Sequence, residues 1–314
     1  MWSSRLSRIE IRVEDVVGAA ITTFLVAIAG IGALKSPFNL NEDDNWDLSF
    51  ILLPVALLIL WSAARYAIDG GTPREALATG RRIGATIRDW FPFLFVLLGY
   101  EAFNTLIWKR ISPRDFDREL LALDLRMWGT TPSIPMQAWI TPLVTDAMTI
   151  FYFLHLVATP LLALLLYLRK RQEFRAFLLA TLVAAGIGMT GYVTVPAVGP
   201  STAFPELYSR ALDSSVPAIL PMIDAARAPR DVFPSLHVGL STVVLIFAFR
   251  HRRSWGLIAL PFVLGNWVST LYLRYHYMVD IFAGWLLAPL SVWIAVTLLR
   301  LEARLRISKC STPS

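Results

Sequence analysis

The hydrophobic positions along the chain fall into long apolar runs separated by short polar segments. A helix that crosses about 30 Å of hydrocarbon needs about 20 predominantly apolar residues. Backbone groups in lipid must be hydrogen-bonded within the segment, so we interpret the runs as helices. They cover approximately Val16–Leu34, Leu48–Ile68, Phe91–Trp108, Pro142–Leu168, Ala176–Val195, Leu236–Phe249, Leu257–Tyr275 and Val279–Leu299. The pattern predicts an all-α polytopic membrane bundle of about eight transmembrane helices, with residues 1–314 forming a single integral membrane domain.

Two longer segments between the predicted spans carry other patterns. Residues 109–138 mix leucines such as Leu120 and Leu125 with charged residues such as Asp117 and Asp124. This mixture predicts an amphipathic helix that lies at the membrane interface. Residues 196–235 are rich in proline, which predicts a structured loop rather than a further span.

Composition and charge agree with a membrane protein. Hydrophobic residues make up 56% of the chain, charged residues 17%, and the mean hydropathy is +0.56; a soluble domain carries about 25% charged residues. The net charge of +6 does not indicate a nucleic-acid partner, because the basic residues cluster in short segments between the apolar runs. The positive-inside rule places these segments and both termini in the cytoplasm. The longer segments then lie on the non-cytoplasmic face.

The chain has four histidines, which differ in their predicted surroundings. His237 and His276 fall at the non-cytoplasmic ends of predicted spans. His251 lies in a basic cytoplasmic loop, which favours a solvated side chain. His155 lies within the fourth span, where a functional role and a helix-to-helix hydrogen bond both stay open, as they do for Glu101 in the third span.

His276 and Asp280 are four residues apart, so they share one face if the last helix begins near His276. A carboxylate beside an imidazole fixes the tautomer of the ring and stabilises the imidazolium that forms during a reaction. This arrangement suits a nucleophilic or general-base histidine. A pair that only stabilises the start of the helix is the alternative.

Other polar residues on the same side complete a set for phosphoryl transfer. Transfer through a covalent intermediate needs a nucleophile, an acid for the leaving oxygen and cations around the phosphate. His276, His237 and Arg274 supply one of each. Ser235 adds a hydroxyl beside the amides that begin the sixth helix, and Arg230 adds a second cation for the phosphate. We therefore predict a phosphoryl-transfer site on the non-cytoplasmic face.

Two motifs resemble those of a known family. The segment Phe233-Pro-Ser-Leu-His237 resembles the Pro-Ser-x-His motif of the type-2 phosphatidic acid phosphatase superfamily, and Arg274-Tyr-His-Tyr-Met-Val-Asp280 resembles its His-x-x-x-Asp motif. The leucine after the serine and the His-Tyr pair resemble the inositol phosphorylceramide synthase-like branch, whose members are inositolphosphotransferases. The superfamily's first motif, Lys-x6-Arg-Pro, has no clean match. Its usual Ser-Arg pair before the last histidine reads Ser269-Thr270 here.

The resemblance implies a role for each matched residue. His276 would attack the phosphorus and form a phosphohistidine, with Asp280 orienting the ring. His237 would protonate the leaving alkoxide and then deprotonate the acceptor, while Arg274 and Ser235 would bind phosphate oxygens. The resemblance also implies a phosphatase-type helical core over residues 142–300, with no metal and no cofactor.

These features favour a lipid phosphatase or a lipid head-group phosphotransferase. Its substrate would be a lipid phosphate in the outer leaflet, and the branch resemblance favours transfer of the inositol phosphorylceramide synthase type. Hydrolysis and transfer share their first half-reaction, so both stay open, as do the acceptor and the oligomeric state. A polyprenyl-diphosphate phosphatase is the alternative enzyme. A non-catalytic transporter or scaffold is less favoured, because a transporter predicts repeated halves and midplane polar sites.

Overall fold

The computed structural model describes residues 11–35, 84–92, 114–226 and 230–310. The predicted span Leu48–Ile68 and nearly all of Phe91–Trp108, including Glu101, lie outside the described residues. The regular structure of the described residues is helical, apart from one isolated β-bridge between Ala197 and Asp231. The all-α prediction is therefore confirmed for this part of the chain.

The chain separates into two compact units. One consists of Gly18–Arg110, and the other consists of Met1–Val17 together with Ile111–Ser314. In the smaller unit, the described residues belong to helix α1 (Val13–Lys35), which starts in the larger unit, and to a helical stretch over 84–92. The larger unit holds the helices that matter for the site. They are α2 (Asp117–Trp128), α3 (Pro142–Arg169), α4 (Arg171–Thr194), α5 (Leu236–His251), α6 (Arg253–Tyr272) and α7 (Met278–Cys310).

Four helices in the described residues are long and apolar enough to cross a membrane. They are Pro142–Arg169, Arg171–Thr194, Arg253–Tyr272 and Met278–Arg306. Helix α5 is also apolar but shorter. These five helices match the fourth to eighth predicted runs within a few residues at each end, except that α7 continues well beyond Leu299, to Cys310. The total of about eight spans and the interfacial position of α2 stay predictions.

Single residues join the helices at the basic ends of the bundle. Lys170 alone separates α3 from α4, and Arg252 alone separates α5 from α6. Both residues have extended φ values, −148° and −160°, so the chain reverses sharply at each. The sharp reversals bring α3 against α4 and α5 against α6 as packed neighbours.

Helix α4 is the centre of the bundle. It packs against α3, α5 and α7, and its side chains from Phe174 to Ala185 are buried almost without interruption. At its basic end, Arg175 donates to Glu14 of α1 at 2.5 Å and to Glu302 of α7 at 2.8 Å. One half-buried cation between two carboxylates therefore links three helices at the end of the bundle opposite the predicted site.

The prediction that His251 is solvated is wrong. Helix α5 continues through His251, whose Nδ1 lies 2.9 Å from a carboxylate oxygen of Glu173, and its ring packs on Trp255 with centroids 4.4 Å apart. Only 9% of the side chain is exposed. The single-residue turn after α5 folds the chain back, so the histidine is enclosed by neighbouring helices instead of projecting from a loop.

Candidate active site

His237 occupies the first turn of α5, which Ser235 caps. The Ser235 hydroxyl accepts a hydrogen bond from the Val238 amide at 3.4 Å, as expected of serine at a helix N-terminus. The preceding Phe233–Pro234 peptide bond is cis. The backbone amide of Ser235 donates to the Asp280 carbonyl at 3.2 Å. The start of α5 is thus tied directly to the first turn of α7.

Two glycines allow this close approach. A Cβ at Gly284 of α7 would lie 2.7 Å from the Ser235 carbonyl oxygen, and a Cβ at Gly191 of α4 would lie 2.2 Å from Cδ of Pro234. Real Cβ atoms do not approach other atoms so closely, so only glycine fits while these backbones stay in place. Both α4 and α7 therefore closely approach the start of α5, which carries His237.

His276 and Asp280 pair at the start of α7. The helix begins at Met278, so His276 precedes it instead of lying on its face. The predicted contact nevertheless forms: His276 Nδ1 lies 3.4 Å from Oδ2 of Asp280, and both side chains are buried. The same carboxylate oxygen accepts the Tyr277 amide at 2.8 Å. Asp280 therefore holds the backbone that carries His276 as well as facing its ring.

The other nitrogen of His276 meets the groups around His237. Its Nε2 lies 3.4 Å from the Ser235 hydroxyl and 3.4 Å from Nδ1 of His237. A carboxylate that faces Nδ1 favours the tautomer with the proton on that nitrogen. The lone pair of Nε2 then points toward the space that Ser235 and His237 share. The structure thus brings together four of the six predicted residues: His237, His276, Asp280 and Ser235.

Arg274 lies between α6 and α7 in a left-handed backbone conformation, with φ of 65°. Its Nη2 donates to the Arg210 carbonyl at 2.5 Å, and its guanidinium carbon lies 4.2 Å from the centre of the Tyr208 ring. Burial lowers the pKa of Arg274 from its ordinary value. These contacts hold the cation against the loop after α4, two residues from His276.

Arg230, the second cation predicted to bind phosphate, forms an ion pair with an acidic residue. Its Nε lies 2.9 Å from Oδ1 of Asp115, and its Nη2 donates to Oδ2 at 3.3 Å. This two-point pair offsets much of its positive charge. Arg230 is therefore a weaker candidate for phosphate binding than the sequence alone suggests, and Arg274 is the stronger one.

Helix α2 reaches the site through two carboxylates, which the sequence predicts only as charged positions of an amphipathic helix. Asp117 accepts the amides of Val198 and Gly199, each at 2.9 Å, and the Tyr277 hydroxyl at 2.8 Å. Asp124 accepts the amides that begin α7, those of Met278 and Val279, each at 2.9 Å. Both aspartates are buried. They attach α2 to Tyr277 and to the first amides of α7, which directly follow His276 in the chain.

A sequence signal for these aspartates does exist. Asp117, Leu120, Leu121 and Asp124 follow the i, i+3, i+4, i+7 spacing of a single helix face, and Leu120 is buried on that face. Leu123 and Leu125, which an amphipathic reading places against an apolar surface, are 40% and 46% exposed. Two acids on the same face as the buried Leu120 and the half-buried Leu121 indicate hydrogen-bond partners inside the protein.

A segment after α4 packs against the residues that precede His276. The short helix Ile219–Ala226 packs Ile223 against Tyr272 and Tyr275. The Tyr275 hydroxyl donates to Asp224 at 2.9 Å. These contacts hold the proline-rich segment over the residues that precede His276.

His155 also belongs to this neighbourhood. Its ring centre lies 4.3 Å from that of His237, and Tyr152 stacks on His237 with centroids 4.5 Å apart. Three of the four histidines are therefore adjacent. The sequence alone does not indicate this contact, because it depends on how α3 crosses α5.

The family of the chain agrees with this geometry. The sequence profile of the PAP2 superfamily matches residues 118–294, more than half of the 314 residues. The chain belongs to this superfamily, and with its apolar helices it is a membrane protein related to lipid phosphatases and phosphotransferases. The match covers α2 from Arg118 onward, helices α3 to α6, and α7 as far as Ile294.

Two individual proteins are similar to the chain. A phosphoinositol dihydroceramide synthase of Bacteroides thetaiotaomicron is 28% identical over 165 residues, which cover 45% of this chain and 52% of that protein. The match spans about half the length of this relative, and it supports the inositol phosphorylceramide synthase-like branch. The crystal structure of Aquifex aeolicus LpxE is similar with a TM-score of 0.41 and 15% identity, over 60% of this chain and 98% of that chain.

Proposed function

We propose that the protein transfers a phosphoryl or substituted phosphoryl group from a membrane lipid through a phosphohistidine on His276. One observation supports this proposal most directly. Nε2 of His276 lies 3.4 Å from both the Ser235 hydroxyl and Nδ1 of His237, while Nδ1 faces Asp280. The ring thus has a carboxylate on one nitrogen and a hydroxyl and a proton-transfer group beside the other.

In the first half-reaction, Nε2 of His276 attacks the phosphorus of the bound lipid. A P–N bond forms and the bond from phosphorus to the leaving oxygen breaks. His237 donates a proton to that oxygen, so a neutral alcohol leaves. Asp280 stabilises the positive charge that develops on the His276 ring.

In the second half-reaction, His237 takes a proton from the acceptor, whose oxygen then attacks the phosphorus. The P–N bond breaks and His276 regains its lone pair. Water as the acceptor gives hydrolysis, whereas an alcohol gives a new phosphodiester. During both steps, Arg274 and the Ser235 hydroxyl are the groups that we propose for binding the phosphate oxygens.

We favour an alcohol as the acceptor, with head-group transfer of the inositol phosphorylceramide synthase type. The support is the matched relative, whose name describes a synthase of a phosphoinositol sphingolipid. The leucine after Ser235 and Tyr277, which follows His276, also support this choice because they resemble that branch. The lipid would be a phospholipid that presents its phosphate at the histidines.

We also propose that the site faces the non-cytoplasmic side, with both termini in the cytoplasm. His237 lies at the start of α5 and His276 just before α7, whereas Lys170 and Arg252 mark the opposite ends of the helices. The positive-inside rule assigns those basic ends to the cytoplasm. Residues 142–300 then form the catalytic core, and the substrate lipid belongs to the outer leaflet.

Product analysis with purified protein tests this proposal. The full chain in detergent is incubated with labelled phosphatidylinositol, phosphatidic acid or a prenyl diphosphate, with and without ceramide or diacylglycerol. We expect a new phosphodiester that requires a lipid alcohol and disappears in His276→Ala, while His251→Ala, at the other end of the bundle, behaves as wild type. Release of free phosphate alone would indicate a phosphatase, and preference for the prenyl diphosphate would indicate the alternative enzyme. Full activity of His276→Ala would refute the mechanism.

A further inference from the structure

The imidazole of His237 is enclosed by three other rings. Tyr152 stacks on its face, with centroids 4.5 Å apart and an interplanar angle of 27°. His155 meets it edge-on, with centroids 4.3 Å apart at 62°. His276 lies on the third side at 5.4 Å and 65°. Tyr152 and His155 are three residues apart on α3, so both come from the same helix face.

The orientation of His155 is set by its own helix. Its Nδ1 lies 2.6 Å from the Tyr152 carbonyl oxygen. A carbonyl oxygen only accepts, so Nδ1 carries the proton and the neutral ring has its lone pair on Nε2. Asn266 of α6 donates to the same carbonyl at 3.3 Å and to the Phe151 carbonyl at 3.1 Å. The turn of α3 that carries His155 is therefore attached to the neighbouring helix.

These contacts decide between the two roles that the sequence leaves open. The Nδ1 hydrogen bond stays within α3, so it does not join two helices. The contact that His155 makes with another helix is the ring contact with His237. A histidine that is fixed on one side and meets the proton-transfer histidine on the other is placed to control the position of that ring.

We propose that His155 is a positioning residue of the phosphoryl-transfer site, which together with Tyr152 holds the His237 ring with Nδ1 toward Nε2 of His276. The inference rests on the proposed function, because it gives His237 the role of acid and base. Without the His155 ring, the His237 imidazole gains space to rotate about its side-chain bonds. Its nitrogen then no longer stays beside the reacting atoms.

This role predicts a dependence on the leaving group. An alkoxide needs the proton from His237 in order to leave, whereas a nitrophenolate is a stable anion that leaves without one. Misplacing a reacting group by 1 Å can lower a rate by about 100-fold. Loss of His155 should therefore slow transfer from an alkyl phosphate lipid strongly and transfer from its nitrophenyl analogue only slightly.

The experiment compares His155→Ala with wild type in the full chain on these two substrates. We expect kcat for phosphoenzyme formation from the alkyl lipid to fall by about tenfold or more, with KM changed less than about twofold, and the nitrophenyl substrate to change less than about threefold. His155→Phe, which restores a ring, should recover part of the loss. Equal losses on both substrates, or no loss on either, would overturn the inference. Wild-type protein that processes neither substrate would instead count against the proposed function.

A second measurement does not depend on activity. The chain has only four histidines, so the imidazole nitrogen resonances of labelled protein can be assigned with single variants. We expect His155 as the tautomer protonated on Nδ1, and we expect His155→Phe to shift the His237 signals more than the His251 signals. A His155 protonated on Nε2 alone, or unchanged His237 signals, would contradict the proposal even if the enzyme is active.

Discussion

The Tyr277 hydroxyl donates a 2.8 Å hydrogen bond to Oδ1 of Asp117, although the two residues lie 160 positions apart. Tyr277 directly follows His276, and Asp117 also accepts the amides of Val198 and Gly199. One buried carboxylate thus joins α2, the segment after α4 and the residue beside the proposed nucleophile. Burial and the neighbouring carboxylate raise the pKa of Tyr277, so its hydroxyl stays protonated as the donor.

Tyr277→Phe should lower activity more than its effect on stability would suggest. The change removes one buried hydrogen bond to a charged group, which contributes about 1.5–3 kcal/mol. The helices remain, but the backbone of His276 loses a restraint, so turnover should fall about tenfold. Thermal unfolding and turnover of the purified variant check this expectation. Tyr167→Phe is the control and should keep wild-type turnover, because Tyr167 lies near the C-terminal end of α3, far along the bundle from the site. An equal loss of turnover in both variants would argue against a specific role for Tyr277.

Asp124 should make stability depend on pH. Burial raises the pKa of this carboxyl above its ordinary value, against the lowering effect of hydrogen bonds from the Met278 and Val279 amides and from Thr131. The folded state then binds the proton more tightly than the unfolded chain. The contribution of this group to the free energy of unfolding is therefore full below about pH 4 and is lost as the pH rises through the folded pKa.

Asp124→Asn does not titrate at this position and so provides the comparison. We expect the unfolding temperature of wild type minus that of the variant to decrease between about pH 4 and pH 7. Thermal unfolding in detergent at several pH values measures this difference. An increase with pH would mean that the hydrogen bonds to the carboxylate outweigh its burial.

Gly284→Ala should destabilise the protein because the new Cβ would lie 2.7 Å from the Ser235 carbonyl oxygen and 2.9 Å from Cβ of Val238. Overpacking of this kind costs about 1–3 kcal/mol, and it displaces the start of α5 with His237. Gly18→Ala in α1 is the matched control, since no neighbouring atom lies within 4 Å of its added Cβ. We expect the control to unfold at or slightly above the wild-type temperature. Equal unfolding temperatures for the two variants would show that the α5–α7 contact is loosely packed.

Chelators should not affect activity. The proposed chemistry uses a histidine nucleophile and guanidinium and hydroxyl groups around the phosphate. In the part of the chain that the structure describes, no group of three or more His, Cys, Asp or Glu side chains is placed to hold a metal ion. We expect equal turnover with and without EDTA. Loss of turnover on chelation and recovery on adding one divalent cation would assign the metal a role.

Much of the helical core can be predicted from hydropathy, but the helix ends cannot. The run predicted as Pro142–Leu168 is observed as Pro142–Arg169, whereas the run predicted as Leu257–Tyr275 begins earlier, at Arg253. A hydropathy window excludes a terminal arginine, although its long side chain lets the charged group reach water from a helix end. Hydropathy alone therefore does not locate the helix boundaries at the basic ends.

Contacts between polar residues can be predicted from the sequence only where the residues lie close together in the chain. The spacing of His276 and Asp280 predicts their contact, because two residues only four positions apart are held close together by the short chain between them. The contacts of Asp117 with Tyr277 and of His155 with His237 join distant segments. They depend on how α2 docks and how α3 crosses α5, which no local pattern specifies.

The covalent intermediate provides the most direct test of the central claim. The purified chain is mixed briefly with a lipid labelled at its phosphorus, quenched under alkaline conditions that preserve phosphohistidine, digested and analysed by mass spectrometry. We predict a phosphorus adduct on His276 that forms in wild type and in His251→Ala and is absent from His276→Ala. An adduct on another residue, or turnover without any adduct on His276, would contradict the mechanism.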